Sequence, residues 1–328
     1  MRTSILNMLR KYSNEYLSGE EISRQLAVSR TAIWKHIQTL KQNGYDIEAH
    51  PRKGYRLKGI PDFLLPDEIR AQLSAKILGQ KEIYYFEDID STNNEAKKQA
   101  NLGCPEGTIV LAEMQNSGRG RISRSWFSPA AKGIWMSIVI RPPFHPYDAP
   151  KCTLLAAVAI TKAIQKATGV QCGIKWPNDI LYEGKKIVGI LTEMSAEMDA
   201  VNYVVLGMGI NVNIEREEFP TDLESIATSL SIAAGKPIAR LPLLQEILLM
   251  VENEYCTVIQ HGFTEMLDEW RRLSVTLGQT VDIIGGTETA SGLAVDIDKD
   301  GALLVEINGR LEKVIAGDVS IRPQQKDG

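Results

Sequence analysis

The chain has 328 residues, 44% apolar and 24% charged, with a net charge of −4, the composition of a soluble globular protein large enough for two or three domains. No apolar run approaches the roughly 18 residues that a membrane span needs, and the opening MRTSILNMLRK lacks a signal-peptide core. Four cysteines and four histidines are scattered without a CxxC pair, which argues against a zinc site or redox motif and for a reducing cytoplasm.

Charge is unevenly placed. Residues 1–60 hold 11 Lys+Arg against 5 Asp+Glu, a net of +6, so the rest of the chain carries about −10. A basic front on an acidic body suggests that one domain meets a polyanion and the other does not. Within that front, SGEEISRQLAVSRTAIWKHIQTL predicts a helix over Glu20–Ala27 that buries Ile22, Leu26 and Ala27. A turn at Val28 and Ser29 follows, with Ser29 as N-cap of a second helix in which Ile33, Ile37 and Leu40 share a face. Thr31, Lys35 and Gln38 then point outward, as the DNA-reading side chains of a helix-turn-helix do. YDIEAHPRKGYRL adds two short strands around a tip bearing Arg52 and Lys53, a wing suited to the phosphate backbone. A helical hairpin serving only protein contacts is the alternative; the basic balance, the wing and the polar outer face favour DNA. Two prolines in KGIPDFLLPDEI mark a linker near Ile60–Pro66 and a DNA-binding domain over residues 1–62.

The next elements alternate strand and helix. EIYYFEDI reads as a strand, and Ser91-Thr92-Asn93-Asn94-Glu95 opens a helix that Gly103 ends. Thr92 and Glu95 fit a capping box, which is a complete structural account of those residues. TIVLAEM is a strand, followed by QNSGRGRISRSWFS, where Arg119, Arg121 and Arg124 alternate with glycine and serine. Guanidinium groups and free backbone N–H donors can fold over a phosphate. A solvated basic loop is the usual alternative, and the acidic body argues against a nucleic-acid patch. Asp148–Thr168 is a long helix with Asp148 as N-cap, Pro150 in the first turn and Gly169 beyond its end.

CGIKWPNDILYEGKKIVGILTEM predicts a strand, a Pro-Asn-Asp turn and a hairpin closed at Glu183-Gly184. Lys186, Val188 and Ile190 share one face while Ile187 and Leu191 share the other, so the strand is covered and central. Lys186 sits at its mouth, where snorkelling to water is the alternative. YVVLGMGINVNI contributes Gly207, Gly209 and Asn211. No GxxxxGK[ST] occurs, and GMG lacks the rest of a dinucleotide fingerprint, so a nucleotide here would be held by the arginine loop. Leu277–Arg322 contains TVDII, GLAVDI, ALLVEI and VIAGDVSIR with turns at DKDG and Asn308-Gly309, which suggests a small β-barrel. Arg322 is its one residue of chemical interest.

Taken together, STNNE, QNSGRGRISR, WFS, KWPND, GKKIVGIL and GMGINVN resemble the bifunctional biotin protein ligases and biotin operon repressors of bacteria. The resemblance covers nearly the whole chain, and GRGR with KWPND about fifty residues later is specific to biotin ligases. It implies an α+β multidomain protein: the winged helix-turn-helix, a mixed-sheet ligase domain like that of class II synthetases over residues 63–273, and a small β-barrel over residues 274–328. It further implies that Ser91, Thr92, Asn93 and Gln115 bond the biotin head group, and that Arg119, Gly120 and Arg121 wrap the adenylate. Trp126 would pack on ligand and loop, Lys186 would neutralise charge at the carboxylate and α-phosphate, Asn211 would face the adenine, and Arg322 would reach in from the barrel. Asp179 would help position Mg²⁺. Family members often read GRGRRGR, whereas Ile122 and Ser123 here replace the second Arg-Gly. The implied substrates are biotin and ATP, and the implied partners are a biotin carboxyl carrier protein domain, operator DNA and, when adenylate-loaded, a second copy of the chain. A transcription regulator that senses biotin without catalysis is the competing function.

Overall fold

The structure is a computed structural model that describes residues 1–328 except 13, 14, 43, 60, 61, 286, 287, 316–319 and 324–328; the side chains of 2, 3, 285, 288, 289 and 320–323 also fall outside the described set. The chain divides into two compact units, Met1–Gln72 and Leu73–Gly328.

In the first unit α1 (Arg2–Lys11), α2 (Gly19–Leu26) and α3 (Arg30–Gln42) precede a hairpin of β1 (Asp46–His50) and β2 (Gly54–Gly59), then α4 (Pro66–Ala71). Ser18 caps α2 by accepting from the Glu21 N–H at 3.0 Å, and Ser29 accepts from the Ala32 N–H at 3.2 Å. Ile22, Ile33, Ile37 and Leu40 meet Ile5, Leu6 and Leu9 of α1 in one core. Ala27, which the sequence places inside that core, is instead exposed and left-handed at φ 53°. It is the turn residue that ends α2, while Val28 packs inward. Gly54 is required where β2 begins: a Cβ there would stand 2.1 Å from the Leu17 carbonyl oxygen. Residues 63–72, which the sequence assigns to the following domain, pack with the first unit, because the buried Glu68 carboxylate accepts from Arg10 and Tyr45.

The second unit is built on a seven-stranded sheet. Along the chain come β3 (Ile83–Ile89), α5 (Thr92–Asn101), β4 (Thr108–Gln115), β5 (Gly133–Ile140), α6 (Lys151–Thr168), β6 (Gly173–Lys175), β7 (Asp179–Tyr182), β8 (Lys185–Ala196) and β9 (Val201–Asn211). Strand order is β3-β4-β5-β9-β8-β7-β6, parallel between β3 and β4 and antiparallel elsewhere. α6 is apolar nearly all round and is buried between the sheet, α8 (Arg240–His261) and α9 (Thr264–Leu273), after the short α7 (Leu230–Ala234). It starts later than the sequence predicts. Asp148 lies in a preceding 3-10 turn and pairs with Lys151 at 2.6 Å, leaving Pro150 as N-cap. A fully buried ion pair, Arg240 to Glu113 at 2.7 Å, ties α8 to β4; Arg240 also donates to the Gly133 carbonyl.

The C-terminal residues form an antiparallel sheet of β10 (Thr280–Gly285), β11 (Glu288–Ile297), β12 (Leu303–Ile307), β13 (Arg310–Val314) and β14 (Ser320–Pro323), in the order β13-β12-β11-β10-β14. Asn308 and Gly309 turn β12 into β13 with φ 51° and 77°, as their sequence predicts. Where a small barrel is expected, the described residues pair as this five-stranded antiparallel sheet. No helix of the described residues is long and apolar enough to cross a membrane.

Candidate functional site

Every expected ligand-site residue whose side chain is described lines one cavity of about 840 Å³ in the second unit, from Ser91 at the start of α5 to Asn211 at the end of β9. Arg322 is the exception: β14 pairs it with Asp282, but its side chain lies outside the described residues.

One end of the cavity is a buried polar cluster. Ser91, Thr92 and Asn93 are each less than 5% exposed. The predicted capping box does not form. Ser91 is the N-cap, it makes no side-chain cap bond, and Thr92 is already the first helical residue. The Thr92 N–H donates to Gln115 Oε1 at 2.9 Å, and its hydroxyl lies 3.2 Å from the same oxygen. Gln115 donates in turn to Ser128 Oγ at 2.9 Å. Asn93 donates through Nδ2 to the Leu191 carbonyl and to Glu193, and its Oδ1 accepts from Ser137 Oγ at 2.6 Å. Gly207 makes room for that amide, since a Cβ there would stand 1.9 Å from Asn93 Oδ1. The cluster is therefore oriented by the sheet beneath it before any ligand arrives.

The arginine loop is a small hairpin. The Gly120 N–H donates to the Arg124 carbonyl at 2.7 Å and the Arg124 N–H to the Arg121 carbonyl at 3.1 Å, closing a two-residue turn at Ile122 and Ser123. Those residues take φ 52° and 55°, the signature of a type I′ turn that favours Asn-Gly and strains a β-branched residue. Arg119 donates to Asn94 Oδ1 at 2.8 Å and pairs with Glu193 at 3.3 Å, while Arg121 donates to Asn178 Oδ1 at 3.0 Å. Both arginines thus find partners within the chain itself. Burial raises the Glu193 carboxyl, but hydrogen bonds from Lys97 and Asn93 and the charges of Lys97 and Arg119 outweigh it, so the group is held below its ordinary value.

The opposite wall carries Lys186, which pairs with Asp179 Oδ2 at 2.8 Å and lies 5.7 Å from the centre of the Trp126 ring. Backbone bonds to Ile226 and Thr228 fix the strand at Lys186, and its side chain, one-third exposed, is held by the pair with Asp179. Trp126 lies on a floor of Gly189 and Gly209, paired neighbours on β8 and β9; a Cβ on either would stand within 2.6 Å of the indole. Trp126 Nε1 and Asp179 Oδ1 are buried without a hydrogen-bond partner. Asn211 donates to the Thr228 carbonyl at 3.0 Å, which leaves its Oδ1 available at the cavity wall.

Sequence reasoning passes over four residues here. Ser137 is the only polar side chain in GIWMSIVI, and Glu193 interrupts the apolar run of β8; such breaks are readable signals. Asn178 and Ser128 act through others, Asn178 by tethering β8 at Ile190 and holding Arg121.

In the first unit Thr31 and Lys35 are exposed on α3 and Gln38 is half-buried; Arg52 and Lys53 are exposed at the tip of the hairpin. The tip is braced by Tyr16, whose ring lies 4.8 Å from the Arg56 guanidinium and 5.6 Å from Lys53 Nζ.

Residues 85–211 match the biotin/lipoate A/B protein ligase family, residues 2–56 an HTH domain and residues 276–322 the biotin protein ligase C terminal domain. The chain is 44% identical over 321 residues to the bifunctional ligase/repressor BirA of Bacillus subtilis, covering 98% of each. It is 31% identical over 320 residues to that of Escherichia coli, covering 96% of this chain and 95% of the other. The solved biotin protein ligase from Aquifex aeolicus, in complex with biotin and ATP, superposes with a TM-score of 0.65 at 25% identity over 74% of this chain and 100% of its own. A helix-turn-helix unit, a polar cavity faced by the arginine hairpin and Lys186, and likeness over almost the full length place this chain in the biotin/lipoate A/B protein ligase family, among its bifunctional ligase/repressor members.

Proposed function

We propose that the chain activates biotin with ATP to biotinyl-5'-adenylate, transfers biotin to a lysine of a biotin carboxyl carrier protein domain, and in its adenylate-loaded form dimerises on operator DNA as a repressor. The observation that carries this reading is that Arg119, Arg121 and Lys186 line the same cavity as Gln115 and the buried Thr92 and Asn93. An amide and hydroxyl cluster suits the uncharged polar head of biotin, and the cations suit its carboxylate and the nucleotide phosphates.

In the first step a biotin carboxylate oxygen bonds to the ATP α-phosphorus while the bond to the bridging oxygen breaks and pyrophosphate leaves. No protein nucleophile is needed; the chain supplies positioning and cations where two anions must approach. In the second, the carrier lysine amine attacks the acyl carbon, AMP leaves, and the amine proton passes to solvent. The arginine hairpin shields the mixed anhydride from water in the interval. No group of three or more metal-ligating side chains occurs among the described residues. The unpartnered Asp179 Oδ1 fits a Mg²⁺ ion held chiefly by substrate phosphates and water, with Lys186 alongside. That ion would neutralise phosphate charge when bound. Thr31, Lys35 and Gln38 would face base edges, and Arg52 and Lys53 would meet phosphates.

A regulator that only sensed biotin would use the polar cluster and have no need of Lys186 or the arginine hairpin. Biotin-dependent ATP–pyrophosphate exchange separates the two: exchange is expected, and its absence from folded protein that binds biotin establishes the sensor instead.

A further inference from the structure

The outward face of α3 carries one large side chain that no polar reading explains. Trp34 is 53% exposed, while Ile33, Ile37 and Leu40 of the same helix are at most 2% exposed. It follows Thr31 by three residues, adjoins Lys35 and precedes Gln38 by four, so it stands among the outward-facing side chains at helical spacing. Indoles are seldom left so open, and one set among hydrogen-bonding neighbours on a helix fits a surface that a partner covers.

Two observations specify that partner. Residues 1–60 carry a net charge of +6, and the exposed Arg52 and Lys53 stand at the hairpin tip of the same unit, which is complementary to phosphate. Trp34 itself has a single N–H donor and no acceptor, so it cannot form the paired bonds that identify adenine or guanine. Its large apolar edge matches the one apolar group in the major groove, the C5 methyl of thymine. We propose that Trp34 packs against a thymine methyl in each half of the operator and so sets a thymine preference at one position. The proposal rests on α3 being the helix that enters the groove and adds to it a named base contact.

The test uses the full chain with biotin and ATP to select duplexes from a random-sequence library. Each thymine of the selected sequence is then replaced by deoxyuridine, which removes the methyl alone. Wild-type protein is expected to lose roughly 3- to 5-fold in affinity at one thymine per half-site. Trp34→Ala should show no loss there while keeping its penalties elsewhere. Trp34→Gln, of similar reach but without the apolar edge, should behave alike and serves if the alanine variant fails to fold; Trp34→Phe should retain most of the penalty. Coincident scans for wild type and the truncated variants overturn the proposal. If Gln38→Ala changes the base profile while the Trp34 scans are unchanged, α3 still reads DNA and the thymine contact is rejected. If no sequence is selected, both readings fall together.

Discussion

Lys186 Nζ and Asp179 Oδ2 lie 2.8 Å apart across the mouth of the cavity, and a backbone turn sets that distance. Asp179 opens β7, Lys186 is the second residue of β8, and Glu183 and Gly184 join the strands with φ 47° and 77°. Lys186 is 33% exposed and Asp179 16%, so water screens the pair in part, and it holds Lys186 in place without spending its charge. Lys186→Ala is expected to reduce biotin-dependent pyrophosphate exchange 100-fold or more, about 3 kcal/mol of transition-state stabilisation. Near-normal exchange in a folded variant removes Lys186 from that role.

The glycine floor gives a second prediction. An alanine at Gly209 would place its Cβ 2.3 Å from Trp126 Nε1, a separation that the indole must leave to relieve. Gly209→Ala is therefore expected to lift Trp126 off β9 and weaken ATP binding at least 10-fold, with a smaller effect on biotin, because the Thr92–Gln115 bonds are made without the indole ring. Calorimetric titration with each substrate checks the split; equal losses would show that Trp126 does not line the nucleotide half.

Glu193 links the arginine hairpin to pH. Its carboxyl lies below its ordinary value, so the link to Arg119 and Lys97 is fully present above the usual glutamate range and is lost as pH falls through the lowered value. Release of biotinyl-adenylate should therefore stay slow from neutral pH through ordinary glutamate titration and quicken only in more acid solution. Glu193→Gln should release the adenylate faster at neutral pH and abolish that acid rise. Stopped-flow release rates across pH decide the matter; an acid rise that survives the substitution assigns it to another group.

On the DNA side, base and phosphate contacts should separate. Gln38→Ala is expected to relax sequence preference, whereas Arg52→Ala should weaken all duplexes alike and reduce the salt slope by about one. An unchanged base-substitution profile for Gln38→Ala shows the recognition face to be wrongly assigned.

What the sequence makes legible follows from how local the cause is. The helix pair apart from Ala27, the Glu183-Gly184 and Asn308-Gly309 turns and the covered strand at Lys186 depend on spacing over a few residues, and those appear as read. GIWMSIVI is buried at all eight positions of β5, so it has no period to separate strand from helix. The capping box fails because Thr92 lies one residue too late to cap α5, and its hydroxyl is taken up by Ser137 and Gln115, which come from other strands. Arg119 and Arg121 are recognisable as cations of a glycine-containing loop, but their partners Glu193 and Asn178 lie 74 and 57 residues away and become neighbours only through the sheet.

The hairpin at Ile122 and Ser123 carries the last prediction, that closure of this loop is read by the DNA-binding unit. A type I′ turn places both central residues at positive φ, and isoleucine resists that conformation by roughly 1–2 kcal/mol. Closure is held against this strain by Arg119 on Glu193 and Arg121 on Asn178, and a bound adenylate adds an anion for the same cations. A ligand that favours the closed loop favours whatever the closed loop presents to a second copy, and a winged helix generally spans two half-sites as a dimer. Biotinyl-adenylate is thus expected to shift the monomer–dimer equilibrium with a coupling on the order of 1–3 kcal/mol, so that abundant carrier acceptor drains the adenylate and relieves repression. Arg121→Gly should release adenylate early, biotinylate stray lysines and weaken repression together. Ile122→Asn with Ser123→Gly, a pair that suits the turn, should slow release and strengthen adenylate-dependent dimerisation. Sedimentation and operator binding with and without biotinyl-adenylate provide the measurement. Mass and operator affinity that are indifferent to the adenylate refute the coupling and leave the ligase reaction untouched.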